Sequence, residues 1–115
     1  RPGHQRNKRI MKRTAITDSI AARLRALYPE VMAILYGSEA RGDARDNSDV
    51  DLLILVPDSY EGKRFIDTRR SISGMLYELA LDLNVEISPL ILLRKVFFRR
   101  ITPFTANVMN EGIVL

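Results

Sequence analysis

A chain of 115 residues has room for one domain with one modest core, and 46% apolar with 28% charged residues is ordinary soluble globular composition. No apolar run approaches the roughly 18–20 residues of a membrane helix and no signal-like segment opens the chain, so the expectation is a cytoplasmic protein without a membrane partner. Cysteine is absent and the single histidine is His4, which excludes disulfides, thiolate zinc sites and Ser-His-Asp or Cys-His mechanisms for the folded part.

The net charge of +4 is carried by residues 1–10, where Arg1, Arg6, Lys8 and Arg9 stand without an acid, so residues 11–115 are formally neutral. With Pro2, Gly3 and no apolar period, residues 1–10 read as a disordered basic tail or upstream remnant, and residues 11–115 as the domain. A charge confined to such a tail argues against nucleic acid as the partner.

From Thr14 to Tyr28 the apolar residues Ile16, Ile20, Leu24 and Leu27 recur at helical spacing, and Pro29 ends the helix. Val31–Tyr36 is a short apolar run closing on Gly37, which predicts a buried strand. Residues 37–48 form a polar loop in which Asp43, Asp46, Asn47 and Ser48 are ordinary loop residues. Val50–Val56 predicts a second strand, stopped by Pro57. A helix follows from Glu61 to about Leu81, then a third strand over Val85–Leu90, interrupted by Pro89. Phe97 or Phe98 is expected in the core, with Arg94, Lys95, Arg99 and Arg100 solvated or forming a basic-aromatic surface. Met32, Met75 and Met109 read as core filling. Thr102-Pro103 is an N-cap and first-turn pair for a last helix over Phe104–Glu111, and residues 113–115 add an edge strand. The class is α+β, a small mixed sheet of three to four strands with helices packed on it. The first two strands can pair in either sense.

Chemistry concentrates in Gly37-Ser38, ten residues, then Asp49-Val50-Asp51. Strand alternation puts Asp49 and Asp51 on one face about 6.5–7 Å apart, with Val50 and Leu52 turned to the core. Two carboxylates at that separation can ligate one Mg²⁺ or bridge two ions. Gly37 lets a triphosphate approach the backbone, Ser38 offers a hydroxyl and an N–H at the start of a helical turn, and Arg41 can return to the same phosphates. A phosphate cradle beside a metal pair suits in-line transfer of a nucleotidyl group.

The stretch GSEARGDARDNSDVDLLILV resembles the signature of the minimal nucleotidyltransferases of the DNA polymerase β-like superfamily, and the likeness runs on through Tyr77-Glu78-Leu79, Val85–Pro89 and Asn107–Gly112. The resemblance implies a polymerase β-like core that moves a nucleotide, AMP first among the choices, from ATP or another nucleoside triphosphate to a hydroxyl. It implies that Gly37 and Ser38 bind phosphates and that Asp49 and Asp51 bind divalent metal, two Mg²⁺ ions in all. It also maps a third catalytic, metal-binding carboxylate onto Glu86, where the family usually has aspartate. Similar stand-alone proteins act with a helical HEPN-type partner in toxin–antitoxin pairs, which implies a protein acceptor and an antitoxin role. By alternation Glu86 shares a strand face with Asn84 and Ser88, and in the absence of histidine it is the candidate general base. The competing readings are a catalytically weak module that binds nucleotide or partner without turnover, and, least supported, an RNA-binding module resting on residues 94–100.

Overall fold

The computed structural model describes the backbone of residues 2–45 and 48–115 and the side chains of residues 13–45 and 48–115. Asp46 and Asn47, expected as loop residues, lie outside the described residues. Chain order is α1 (Pro2–Leu27), β1 (Met32–Tyr36), α2 (Ser38–Arg41), β2 (Val50–Val56), α3 (Lys63–Leu83), β3 (Ile87–Leu93), α4 (Arg94–Phe98), α5 (Pro103–Glu111) and β4 (Ile113–Val114). Among the described residues no helix is long and apolar enough to cross a membrane.

The strands form one mixed sheet in the order β3-β2-β1-β4. β1 and β2 pair antiparallel, which settles the pairing the sequence leaves open, with Tyr36 opposite Asp51. β2 and β3 run parallel, joined by α3 as the crossover helix that parallel neighbours require. β2 is a central strand with helices packed on both of its faces, α1 and α3 on one and α4 and α5 on the other. That is why its sequence, VDLLILV, is a nearly continuous apolar run rather than an alternating one.

Each face of the sheet carries its own core. On one, Val50, Leu52, Ile54 and Val56 pack with Ala33, Leu35 and Ile91 against Ile16, Ile20 and Leu24 of α1 and Ile72, Leu76 and Leu79 of α3. On the other, Ile34, Leu53 and Leu55 meet Phe97 of α4 and Val108 of α5. Each fully buried Leu or Ile contributes about 1.5–3 kcal/mol relative to exposure, so the two clusters together hold the sheet between its helices. Tyr28 and Ser71 share a hydrogen bond that ties α1 to α3.

Several elements differ from expectation. Helical backbone begins at Pro2 rather than at Thr14, so α1 is longer at its start than the apolar period alone gives. The Lys, Arg and Gln there are good helix formers and need only extend a helix already nucleated downstream. β3 starts two residues late, after Asn84 ends α3 in the left-handed region at φ 53°, and it runs to Leu93 with Pro89 inside it. Pro89 is tolerated because β3 is an edge strand, where the missing N–H faces no neighbour. Met109 is 60% exposed and is not core filling, because it lies on the outer side of the short α5. Of the phenylalanine pair, Phe97 is buried and Phe98 exposed. The Thr102 cap is as expected, its hydroxyl accepting from the Thr105 N–H at 3.1 Å.

Candidate active site

The end of the sheet where β1 stops and β2 and β3 begin gathers the sequence-predicted residues. β1 delivers the chain to Gly37, whose φ of 68° and ψ of −146° are open essentially to glycine alone. A Cβ there would lie 2.5 Å from Asp51 Oδ2, so the missing side chain is what lets the β2 carboxylate lie against the loop backbone. Gly37 and Asp51 are thus close across the antiparallel pair, in keeping with the pairing of Tyr36 with Asp51.

Directly after Gly37 comes α2, a single turn. Its first recurrent bond runs from the Arg41 N–H to the Gly37 carbonyl at 3.1 Å, and the turn closes through Asp43 N–H to Ser38 O at 3.1 Å. The amides of Ser38, Glu39 and Ala40 precede that first bond and have no acceptor within the helix. Arg41 does not reach back over this turn. Its Nε donates to Asp43 Oδ2 at 3.4 Å and its Nη1 stands 3.7 Å from Glu111 Oε2 on α5. Both ion pairs are about half exposed, a setting in which such pairs are worth at most about 1 kcal/mol, so Arg41 can exchange them for an anion. Together with Tyr36, Phe104 and Asn107 it lines a cavity of about 110 Å³ beside Gly37.

Asp49 and Asp51 lie on one side of β2, as alternation requires, while Val50 and Leu52 are fully buried on the other. Burial pushes the Asp51 carboxyl above the usual carboxylate range, the charge of Asp49 pushes it further, and the Arg41 guanidinium opposes the rise. Burial and then the Asp51 charge raise the Tyr36 hydroxyl as well. A partly buried carboxylate beside a second one, with Asp51 raised by burial and by the Asp49 charge, forms a site whose anionic state calls for a cation. The donor set, hard carboxylate oxygens with one face open to solvent, fits Mg²⁺. Ser88 Oγ, on β3, donates to Asp49 Oδ2 at a long 3.5 Å.

Glu86 is placed differently from the pair. Val50 donates its N–H to the Glu86 carbonyl at 2.8 Å, and the register pairs Val50 with Ile87, so the Glu86 backbone lies beside Asp49. Glu86 is exposed, and the residue borders a cavity of about 210 Å³ under α3, with Tyr77, Leu81 and Pro89. Among the described residues no three acids or histidines form a group able to hold a metal.

One contributor carries no sequence signal. Arg13, in α1, is buried. Its Nη2 forms an ion pair with Glu39 and donates to the carbonyl of Ser48 at 3.2 Å. A lone arginine at the edge of an amphipathic period looks like surface charge, and only the tertiary structure reveals its acceptors.

The sequence matches the nucleotidyltransferase domain family over residues 18–114. No curated protein matches it. Among solved structures, the fold is similar to a chain in the crystal structure of a toxin–antitoxin with AMP-PNP, at 20% identity over 84% of this chain and 69% of that one, with a TM-score of 0.56. It is also similar to a chain in a mutant of the toxin–antitoxin MntA–HpeT, at 20% identity over 86% and 70% of the two chains, with a TM-score of 0.53.

Proposed function

The chain belongs to the nucleotidyltransferase domain family, and from that premise we propose that it moves a nucleoside monophosphate, AMP in the first instance, from a Mg²⁺-bound triphosphate to a hydroxyl on a partner protein. The observation that carries the proposal is the contact between the Gly37 backbone and the Asp51 carboxylate, which joins a phosphate-binding turn to a metal-binding pair at one sheet end. In this reading the amides and hydroxyl at the start of α2 bind the β- and γ-phosphates, and Arg41 leaves Asp43 and Glu111 to join them. Asp49 and Asp51 hold the metal, and Glu86 is the candidate third carboxylate. Divalent metal bound there supplies neutralisation of phosphate charge and polarisation of the phosphorus under attack. Glu86 accepts the proton of the acceptor hydroxyl, whose oxygen bonds to the α-phosphorus as pyrophosphate departs.

A protein acceptor is supported by the fold likeness to chains from toxin–antitoxin complexes, one of them crystallised with AMP-PNP, an ATP analogue. A HEPN-type helical toxin, silenced by adenylylation, is the partner this reading favours, with the chain a member of the minimal nucleotidyltransferases acting as antitoxin. The test is calorimetry with ATP, with and without Mg²⁺, followed by intact mass of both chains after co-expression with the neighbouring gene product. Mg²⁺-dependent binding and an AMP-sized addition on the partner are expected. A second reading, nucleotide binding without turnover, is favoured by the side chain of Glu86 standing outside any metal-holding group among the described residues. It predicts binding and complex formation with no mass change.

A further inference from the structure

We propose that Arg13 is a positioning residue for the nucleotide site, one side chain that fixes the phosphate-binding turn relative to the metal-binding strand; the proposal rests on the nucleotide site described above. Arg13 lies on α1, ahead of the segment matched by the family. It joins two points that are remote from it in sequence. Its guanidinium ion-pairs with Glu39, in the first turn of α2, and donates to the carbonyl of Ser48, the residue immediately before Asp49. Those two acceptors flank the loop between the phosphate turn and the aspartate pair. A planar guanidinium can serve two acceptors in different directions, which an ammonium on the same stem does less well.

The pair is also electrostatically apt. Glu39 sits at the helix start where the phosphates would dock, and a carboxylate free to turn there would compete with them for the same amides. Arg13 draws the Glu39 side chain away and neutralises it, leaving side-chain exposures of only 9% for Arg13 and 6% for Glu39. Stability alone is a poor account of such a pair, since buried ion pairs are often no more stabilising than apolar residues of similar volume. Fixed geometry at a site that must hold phosphate and metal together is the better one.

The test compares wild type, Arg13→Met/Glu39→Leu and Arg13→Lys. The double variant replaces the pair with apolar side chains and is expected to fold with an unfolding temperature close to wild type. Amide exchange at residues 38–45 and 48–51 is expected to accelerate in it while β2 beyond Leu52 and α3 stay protected. Affinity for Mg·ATP is expected to fall about 10–100-fold, the range for losing support behind a metal site. Arg13→Lys is expected to fall between, keeping Glu39 neutralised but loosening Ser48, and it decides the matter if the double variant fails to fold. A folded variant with unchanged exchange and unchanged affinity would show that Arg13 only packs, and the proposal would be wrong. Failure of wild type itself to bind Mg·ATP would count against the nucleotide site, and the exchange measurement would then decide by itself whether Arg13 holds the loop.

Discussion

Replacing Gly37 with alanine introduces a methyl group where the Asp51 carboxylate now lies, and the consequences divide into strain and displacement. The backbone at φ 68° and ψ −146° is a conformation that side-chain-bearing residues avoid, at about 1–3 kcal/mol. At roughly 4–8 °C per kcal/mol for a domain of this size, the unfolding temperature should drop by about 4–24 °C. The added Cβ would sit 2.5 Å from Asp51 Oδ2, against 3.4 Å for ordinary contact, so the carboxylate must retreat by about 0.9 Å. Being the end of a flexible side chain it can do so, and the fold survives. The metal ligand is then displaced by nearly the 1 Å that can lower a reaction rate by about 10²-fold. Gly42→Ala is the control. Its φ of 78° and ψ of 12° carry a left-handed penalty of about 1–2 kcal/mol, but nothing lies within 4 Å of the added methyl. Thermal melts with and without Mg·ATP, together with calorimetry, should show both variants destabilised and only Gly37→Ala deprived of ligand binding. If Gly37→Ala binds Mg·ATP as tightly as Gly42→Ala, the contact between loop and carboxylate is not part of the site.

Asp51→Asn removes a carboxylate that burial and Asp49 both disfavour, so without metal it should melt no lower than wild type, and Mg·ATP should no longer raise its unfolding temperature. An equal ligand-induced shift in Asp49→Asn/Asp51→Asn and wild type would remove these residues from the site. Glu86→Gln is expected to leave nucleotide binding largely intact while transfer falls by roughly 10²-fold, the scale for losing a general base; unchanged turnover would make Glu86 a bystander. Gly112→Ala would place a Cβ 2.4 Å from the Val108 carbonyl and 2.7 Å from Ile34 Cγ2, atoms that cannot swing aside. It should destabilise by about 1–3 kcal/mol in denaturant titration with no change in ligand affinity once folded.

Much of the molecule is written locally. The helical period from Ile16 to Leu27, the apolar run of β2 and the Thr102-Pro103 start of α5 each follow from neighbouring residues, because side-chain period and capping act over one or two turns. The shared face of Asp49 and Asp51 is legible for the same reason, since residues two apart along an extended chain project to one side. The sense of pairing between β1 and β2, the side-chain position of Glu86 and the exposure of Met109 are not written that way. Each depends on which element lies alongside, and strand alternation does not say how far a terminal side chain swings toward a neighbour. Arg13 is the extreme case: its acceptors, Glu39 and Ser48, are remote in sequence, and only packing α1 against the sheet end brings them within reach. Local sequence fixes the faces of helices and strands through the geometry of a single chain segment, whereas contacts between segments follow from burying those faces together, and that is decided only once the whole chain has folded.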